Sequence, residues 1–414
     1  VNPSGGRVTV FGLNYSPEPT GIAPYTAGLA EGLANRLRGV QVVTTHPHYP
    51  GWRRAEGYGG WATDETIKGV DVHRVRHFIP NGKNNLARIV SELTFGFRCV
   101  IAPLKKADRV ILVSPALFSS VMTLARMRLL HRQVPVVVWV QDLYSAGIGE
   151  TGAGGSLVAR IIRRVESALL RGADGVVVIH DRFRRVLVED LNVPAETVEV
   201  VRNWTHLPPT EDFDRKRSRQ RRGWGVDETV VLHSGNMGSK QGLSNVVEAA
   251  ALAQKLGERI RFVLMGDGGQ RSALQEQAAD VQTIEFIDPL PSEEFQTALS
   301  SADVLLVNEL PGLREMAVPS KLTSYFNAGV AVLAATDRES ITAEEIERSG
   351  GGLRVEPGNP LALLDGVRRL RDEAKLAAEL GSKGQQFCRH VLSEKAALDH
   401  YDLWLSNLTT KHGR

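Results

Sequence analysis

Two lysines among the 50 basic residues, Lys240 and Lys321, stand out because each sits in a turn between an apolar run and a helical pattern, beside glycine, serine or proline. Lys240 lies in HSGNMGSKQG (residues 233–242), after the strand-like Val230, Val231 and Leu232 and before a helical spacing from Asn245 to Leu256. Lys321 follows Pro319 and Ser320 in ELPGLREMAVPSKLTSYFNAG (residues 309–329), at the start of an apolar helix. A third stretch, MGDGG from Met265 to Gly269, is a glycine turn without a cation. Where a strand ends and a helix begins, unpaired N–H groups and the helix dipole favour an anion. The chemistry these residues could do is to hold a phosphate or diphosphate and offset charge that grows on it. Taken singly, each stretch also fits an ordinary turn or helix cap.

The first half of the chain has its own polar positions at strand ends. Arg7–Leu13 reads as a buried strand feeding NYSPEPTGIAPYT, a loop longer than the usual βα connection, in which Gly21 could let a ligand approach the backbone before a helix begins near Ala23. Val40–Thr45 is a strand ending in HPHYPGW, which places His46 and His48 at the same sheet edge for substrate contact or proton transfer. The HxH spacing lacks a third ligand nearby, so no metal site is expected. Val134–Val140 ends in WVQDLYSAG, which sets Gln141 and Asp142 at that edge, Asp142 either facing an acceptor hydroxyl or capping a loop.

The elements that must position these groups follow from the apolar rhythm. Residues 71–76 read as another strand, and the Val/Ile-rich runs without alternation at 109–114, 134–140 and 175–179 suit strands covered on both faces of a parallel sheet, a rhythm repeated by strands at 229–232, 261–265, 283–286, 303–307 and 330–334. With helical segments between them, 414 residues are enough for two α/β domains. The expected limits are 1–208 and 209–390, with 391–414 as a helix returning to the first domain. The charge-dense DFDRKRSRQRR (212–222) reads as the solvated boundary, and its Asp212 and Asp214 as linker residues rather than a DxD metal site.

A formal charge of +3 gives no reason to expect nucleic acid as a partner. Two distant cysteines, Cys99 and Cys388, suit a reducing compartment, and the absence of a leader pattern or a long uncharged apolar run leads to a cytoplasmic expectation. Residues 85–106 read as an apolar helix whose Phe95, Phe97 and Ile101 belong to the core, or to a membrane interface beside Lys83, Lys105 and Lys106. The MGDGG turn is not a GxGxxG sequence and no GxxxxGK[ST] occurs in the chain, so the nicotinamide-binding and NTP-hydrolysing readings lose their main support.

Taken together, NYSPEPTGIAPYT, SGNMGSKQGLSNVVEAA, MGDGGQRSAL and PSKLTSYFNAGVAVLA span nearly the whole chain and resemble the retaining nucleotide-sugar glycosyltransferases of family four. The likeness is greatest to bacterial enzymes of the colanic-acid type, which build exopolysaccharide or O-antigen units on lipid-linked carriers. The resemblance implies the α/β GT-B fold, two Rossmann-like doubly wound parallel-sheet domains, and retention by front-face attack. It implies no cofactor or metal, a UDP- or GDP-sugar donor, a glycan or lipid-linked acceptor, and peripheral contact with anionic membrane at the inner face of the cell.

By matching position, the resemblance places Gly21 under the donor phosphates and Lys240 and Lys321 against the leaving diphosphate. Gly266, Pro289 and Leu290 would flank the base, and Glu309 or Glu315 would hold sugar hydroxyls. Asn236, Gly238, Ser320 and Leu322 complete the donor side, while His48, Gln141 and Asp142 face the acceptor. Three departures are visible: Asn236 and Gln241 stand where the family carries arginine and lysine, Met316 and Ser324 occupy its paired-glutamate positions, and Gln141-Asp142 replaces a His-Asp pair. A sugar-nucleotide epimerase or hydrolase of this architecture, or a noncatalytic sugar-nucleotide-binding partner, are the competing expectations.

Overall fold

The computed structural model describes residues 5–19, 21–80, 85–144, 157–205, 213–313 and 320–408. The chain divides into two compact units, Val1–Asn203 with Glu394–Arg414, and Trp204–Ser393.

The first unit holds β1 (Gly5–Phe11), β2 (Leu37–Thr45), β3 (Ala62–Ile67), β4 (Val70–Val75), β5 (Arg109–Val113), β6 (Val136–Val140), β7 (Gly175–Val178) and β8 (Val198–Val200). They form one sheet in the order β3-β4-β2-β1-β5-β6-β7-β8. All pairs are parallel except the β3–β4 hairpin. β6, VVVWV, is buried at every residue, as a strand covered on both faces must be. β3, ATDETI, was not expected from sequence: it lies at the sheet edge, alternates half-buried with exposed, and carries no apolar run.

The second unit holds β9 (Thr229–Ser234), β10 (Ile260–Met265), β11 (Ile284–Ile287), β12 (Val304–Asn308), β13 (Val332–Ala335) and β14 (Gly352–Val355). The order β11-β10-β9-β12-β13-β14 is fully parallel and reverses direction between β9 and β12. Its strands feed two cores: Val231, Leu264, Leu306 and Leu333 pack with one helical layer, and Val230, Leu232, Val263, Leu305 and Val307 with the other. Neighbouring residues thus face opposite layers and both must be apolar, which explains the unbroken Val/Leu runs. β14 also escaped the sequence reading, because all four of its residues are only half-buried.

The basic stretch after the first unit is a helix, Arg215–Arg221, rather than a solvated connection. Asp214 caps it through the Arg217 N–H at 2.9 Å, while Arg215 and Arg219 bind Asp303 at 2.5 and 2.9 Å. Asp212 lies outside the described residues. The last helix, Glu394–Asn407, packs on the first unit: Tyr401 meets Trp139 edge-on at 5.8 Å and Asp399 pairs with Arg36 at 2.8 Å. The helix of residues 85–106 ends at Ile101, and its aromatic pair divides, Phe95 being buried and Phe97 and Ile101 exposed. No described helix is long and apolar enough to cross a membrane.

Candidate active site

In an open α/β sheet, ligands bind beyond the carboxyl ends of the strands where the strand order reverses. In the second unit that point lies beyond β9 and β12. The loop after β9 is zipped to the loop after β10: Gly235 N–H donates to Met265 O at 2.8 Å, Met237 N–H to Asp267 O at 2.8 Å, and Gln270 N–H to Met237 O at 2.9 Å. Gly266 makes the zip possible, since at φ 140° a Cβ there would lie 2.0 Å from the Gly235 carbonyl oxygen. The Asn236 side chain fills the space between Gly238 and Gly268, whose Cβ positions would fall 3.0 Å from its Nδ2 and 2.5 Å from its Oδ1.

Side-chain amides hold the far end of the β9 loop. Gln241 Oε1 accepts the Gly238 N–H at 3.0 Å, Asn308 Nδ2 donates to the Gln241 and Gly242 carbonyls at 2.8 and 3.0 Å, and Asn245 Nδ2 donates to Asn308 Oδ1 at 2.8 Å. Gln241 therefore shapes the loop from within. Lys240 is exposed on the short turn Ser239–Gln241, and its carbonyl accepts the Leu310 N–H at 2.9 Å.

Lys321 is placed by the helix Ser320–Ala328, whose inner face, Leu322, Tyr325 and Phe326, is buried in the core. A Cβ on Gly235 would lie 3.7 and 3.8 Å from Lys321 Cε and Nζ, so the ammonium stands directly against the loop backbone. Nζ lies 3.3 Å from Nε2 of His233, whose Nδ1 is 3.1 Å from the Leu306 carbonyl. A carbonyl takes only a proton donor, so Nδ1 carries the hydrogen and Nε2 accepts from the ammonium. Burial, and then the Lys321 charge, hold His233 well below its ordinary range and so keep it neutral. Lys321 keeps some accessible surface as a residue, but enough protein encloses its ammonium to lower it to about 8, with Glu309 acting in the opposite direction.

Glu309, at the end of β12, is buried and its carboxylate accepts from the hydroxyls of Thr336 and, at 2.6 Å, Thr342. Pro289 is exposed and Leu290 half-buried against the core. Leu322 has its side chain in the core rather than at the sheet edge. Ser320 opens its helix, and Glu315 lies outside the described residues.

The first unit has its reversal between β1 and β5, where Leu13, Asn14, Ile22, Glu92 and Val113 surround a small cavity of about 60 Å3. Glu18, which sequence reasoning passed over, staples two loops: its carboxylate accepts from the backbone N–H groups of His48 and Tyr49 at 2.8 and 2.9 Å and from Asn14 Nδ2 at 2.8 Å. Gly21, at φ 68°, closes that loop with its missing Cβ 3.3 Å from the Tyr49 ring. His48 is buried, its Nδ1 3.4 Å from Glu18 and 3.1 Å from the His46 carbonyl, and burial outweighs Glu18 to lower its pKa. Gln141 exchanges amide hydrogen bonds with Asn203 at 3.0 and 2.7 Å. Asp142 is exposed and caps the Leu143 N–H at 2.9 Å. Glu92 accepts from the Phe118 N–H at 3.0 Å and the Tyr144 hydroxyl at 2.9 Å, and burial lifts it to about 7.

The structure thus brings Gly235, Asn236, Gly238, Gly266 and Lys321 together in the second unit, and Gly21 beside His48 in the first. His233 was missed although it opens the HSGNMGSKQG stretch; its signal is a histidine inside an otherwise apolar strand, where a ring must find polar partners. Among the described residues no three His, Cys, Asp or Glu side chains converge to hold a metal ion.

A family model described as "Glycosyl transferase 4-like domain" matches residues 20–204, and one described as "Glycosyl transferases group 1" matches residues 214–387. The putative colanic acid biosynthesis glycosyl transferase WcaI of Escherichia coli is 28% identical over 411 residues, covering 95% of this chain and 98% of that protein. Among solved structures, HepE of Anabaena in complex with UDP superposes with a TM-score of 0.71 at 15% identity, covering 97% of this chain and 100% of that one. The lipopolysaccharide-biosynthesis glycosyltransferase WaaG gives 0.64 at 16% identity, over 94% and 98%. Two parallel α/β units, each matched by its own transferase model, define a glycosyltransferase with the GT-B fold. Within that class the chain belongs to glycosyltransferase family four, and it resembles the colanic-acid type.

Proposed function

We propose that this enzyme moves a sugar, with retention, from a nucleoside-diphosphate sugar to a hydroxyl of a glycan or lipid-linked acceptor in cell-surface polysaccharide synthesis. The observation that carries the reading is the enclosed Lys321 ammonium, which stands against the Gly235 backbone and has a neutral imidazole as its hydrogen-bond partner. A cation held with so little solvent, and with no hydrogen-bonded carboxylate among the described residues, favours an incoming anion. As the anomeric C–O bond breaks, charge gathers on the β-phosphate, and a fixed ammonium with backbone N–H groups offsets it without reorganising. The acceptor oxygen bonds to the anomeric carbon, and its proton passes to a phosphate oxygen of the leaving diphosphate.

On this reading Lys321 is the main charge partner and Lys240 a lesser one. Gly235–Gly238 and Gly266 let the phosphates reach the backbone, and Pro289 and Leu290 border the base. Glu309, its carboxylate already held by two threonines, acts on the sugar through that fixed orientation. His48, Gln141 and Asp142 belong to the acceptor side, beside the Gly21 loop. The nucleotide complexes named for HepE, with UDP and with UDP-glucose, support a uridine donor as the first choice. The likeness to WcaI supports the polysaccharide setting, and the same proposal takes the acceptor to be carried on a lipid at the cytoplasmic membrane face. Calorimetry against UDP, GDP and their sugars, followed by analysis of products formed in EDTA, tests the proposal. Tight binding of one nucleotide and an α-linked product from an α-linked donor are expected. Free sugar or an epimerised donor as the sole product would replace transfer with hydrolysis or epimerisation, and activity restored only by a divalent ion would overturn the metal-free mechanism.

A further inference from the structure

The first unit contains a second concavity, away from its β1/β5 edge. It is a cavity of about 760 Å3 between the β3 and β4 ends and the exposed side of helix Asn85–Ile101. Such a volume lies in the range of small-molecule sites, about 300–1,000 Å3. One wall is cationic, formed by Arg54, Arg76 and Arg98, and among the described residues none of the three is ion-paired with a carboxylate. Arg98 is the informative one. It is 5% exposed, its Nη2 donates to the Trp61 carbonyl at 2.7 Å, and its guanidinium lies 3.7 Å from the centre of the Trp61 ring. Its Nε and Nη1 are buried without a hydrogen-bond partner among the described residues. Charged donors left buried and unsatisfied are destabilising, a penalty that an anion entering the cavity would remove.

Apolar side chains from the same helix as Arg98 also line the cavity and face water. Leu93 and Phe97 line the cavity at 42% and 55% exposure, and Trp61 stands at its rim at 65%. Leu86, Val90 and Ile101, all exposed, extend this apolar lining into a single stripe along the helix, at the spacing that keeps side chains on one face. The stripe runs for about 22 Å of helix. A buried cationic end that opens onto a long apolar track matches a molecule with an anionic head and one apolar tail.

We infer that this cavity seats the head of a phosphate- or diphosphate-bearing lipid, the carrier of the acceptor, with its chain along Leu93, Phe97, Val90 and Ile101. The inference rests on the lipid-linked acceptor proposed above and names the site that recognises it. Arg98 supplies the enclosed donors and Arg54 and Arg76 the open ones, so the phosphate is fixed while the glycan it carries remains free.

Calorimetry of the full chain with farnesyl diphosphate, in saturating UDP so that the Lys321 cradle is occupied, tests it. Wild type should bind farnesyl diphosphate at least about tenfold more tightly than inorganic pyrophosphate. The double variant Arg54→Ala/Arg76→Ala should lose about tenfold or more, the equivalent of one or two charged hydrogen bonds. Phe97→Ser, an exposed position, should weaken the lipid but not pyrophosphate, and an unchanged melting temperature shows that each variant is folded. Equal affinity for pyrophosphate and farnesyl diphosphate would reduce the cavity to an anion site and overturn the lipid assignment. So would variants that bind as wild type does, or binding only to phosphatidylglycerol vesicles. If UDP binds but the lipid does not, only this site fails; if UDP itself does not bind, the donor reading fails independently.

Discussion

The two sheet edges solve opposite electrostatic problems. In the second unit the edge is made of two loops zipped through their backbones and an enclosed cation, Lys321, whose hydrogen-bond partner is a neutral histidine. In the first unit Glu18 is bound by the backbone N–H groups of His48 and Tyr49, Gln141 is paired with Asn203, and burial leaves His48 leaning neutral. Three cations of that unit with no ion pair among the described residues, Arg54, Arg76 and Arg98, line its larger cavity. The contrast teaches that one edge is built to take a full negative charge and the other to orient a neutral group.

The comparison can be broken most directly at Lys321. Lys321→Ala should reduce transfer by on the order of 3 kcal/mol, well over a hundredfold in turnover, as removal of a transition-state charge partner does. Near-normal turnover measured with the true donor would return the cradle to an ordinary turn. Gly266→Ala comes next: a Cβ pressed on the Gly235 carbonyl at a left-handed φ should cost on the order of 1–3 kcal/mol and weaken UDP binding, as thermal melts and titration would read. The first unit's ligands should be unaffected by it.

A pH series sharpens the same contrast. In the nucleotide-free protein Lys321 loses its proton as pH rises through about 8, and a bound diphosphate would keep it charged. UDP affinity should therefore hold below that value and fall above it, approaching about tenfold per pH unit, the limit for one coupled proton. Calorimetry in buffers of different ionisation enthalpy would show the matching proton uptake; a flat profile to about pH 9.5 would mean that the ammonium is not part of the site. Lys240→Ala should have the smallest effect, a few-fold in donor affinity that shrinks in salt, because an exposed cation is largely screened.

Much of this was legible before any coordinates. Unbroken apolar runs marked the inner strands because both faces of each sheet are covered, and the glycine turns marked the ends of β9 and β10 because close backbone packing tolerates no Cβ. What escaped was set by partners distant in sequence. Glu18 looks like a loop acid until Tyr49 closes on it, and Gln241 looks like a lost lysine until its amide is seen to hold Gly238. The helix after Asn85 was read as core or as membrane interface, and of its Phe95, Phe97 and Ile101 only Phe95 is buried, because nothing in the sequence says which face meets the sheet. Leu322 was drawn into the site by its neighbour Lys321, although one residue along a helix rotates the side chain about 100° away.

The buried amide pair of Asn245 and Asn308 has a consequence for timing. It fastens the β9 loop to the last residue of β12, so that the glycine-rich backbone of that loop is held by the sheet itself. A loop so anchored surrenders little conformational entropy when a ligand arrives. Differences among nucleotides should then be written mainly in how long each stays, with arrival rates nearly alike.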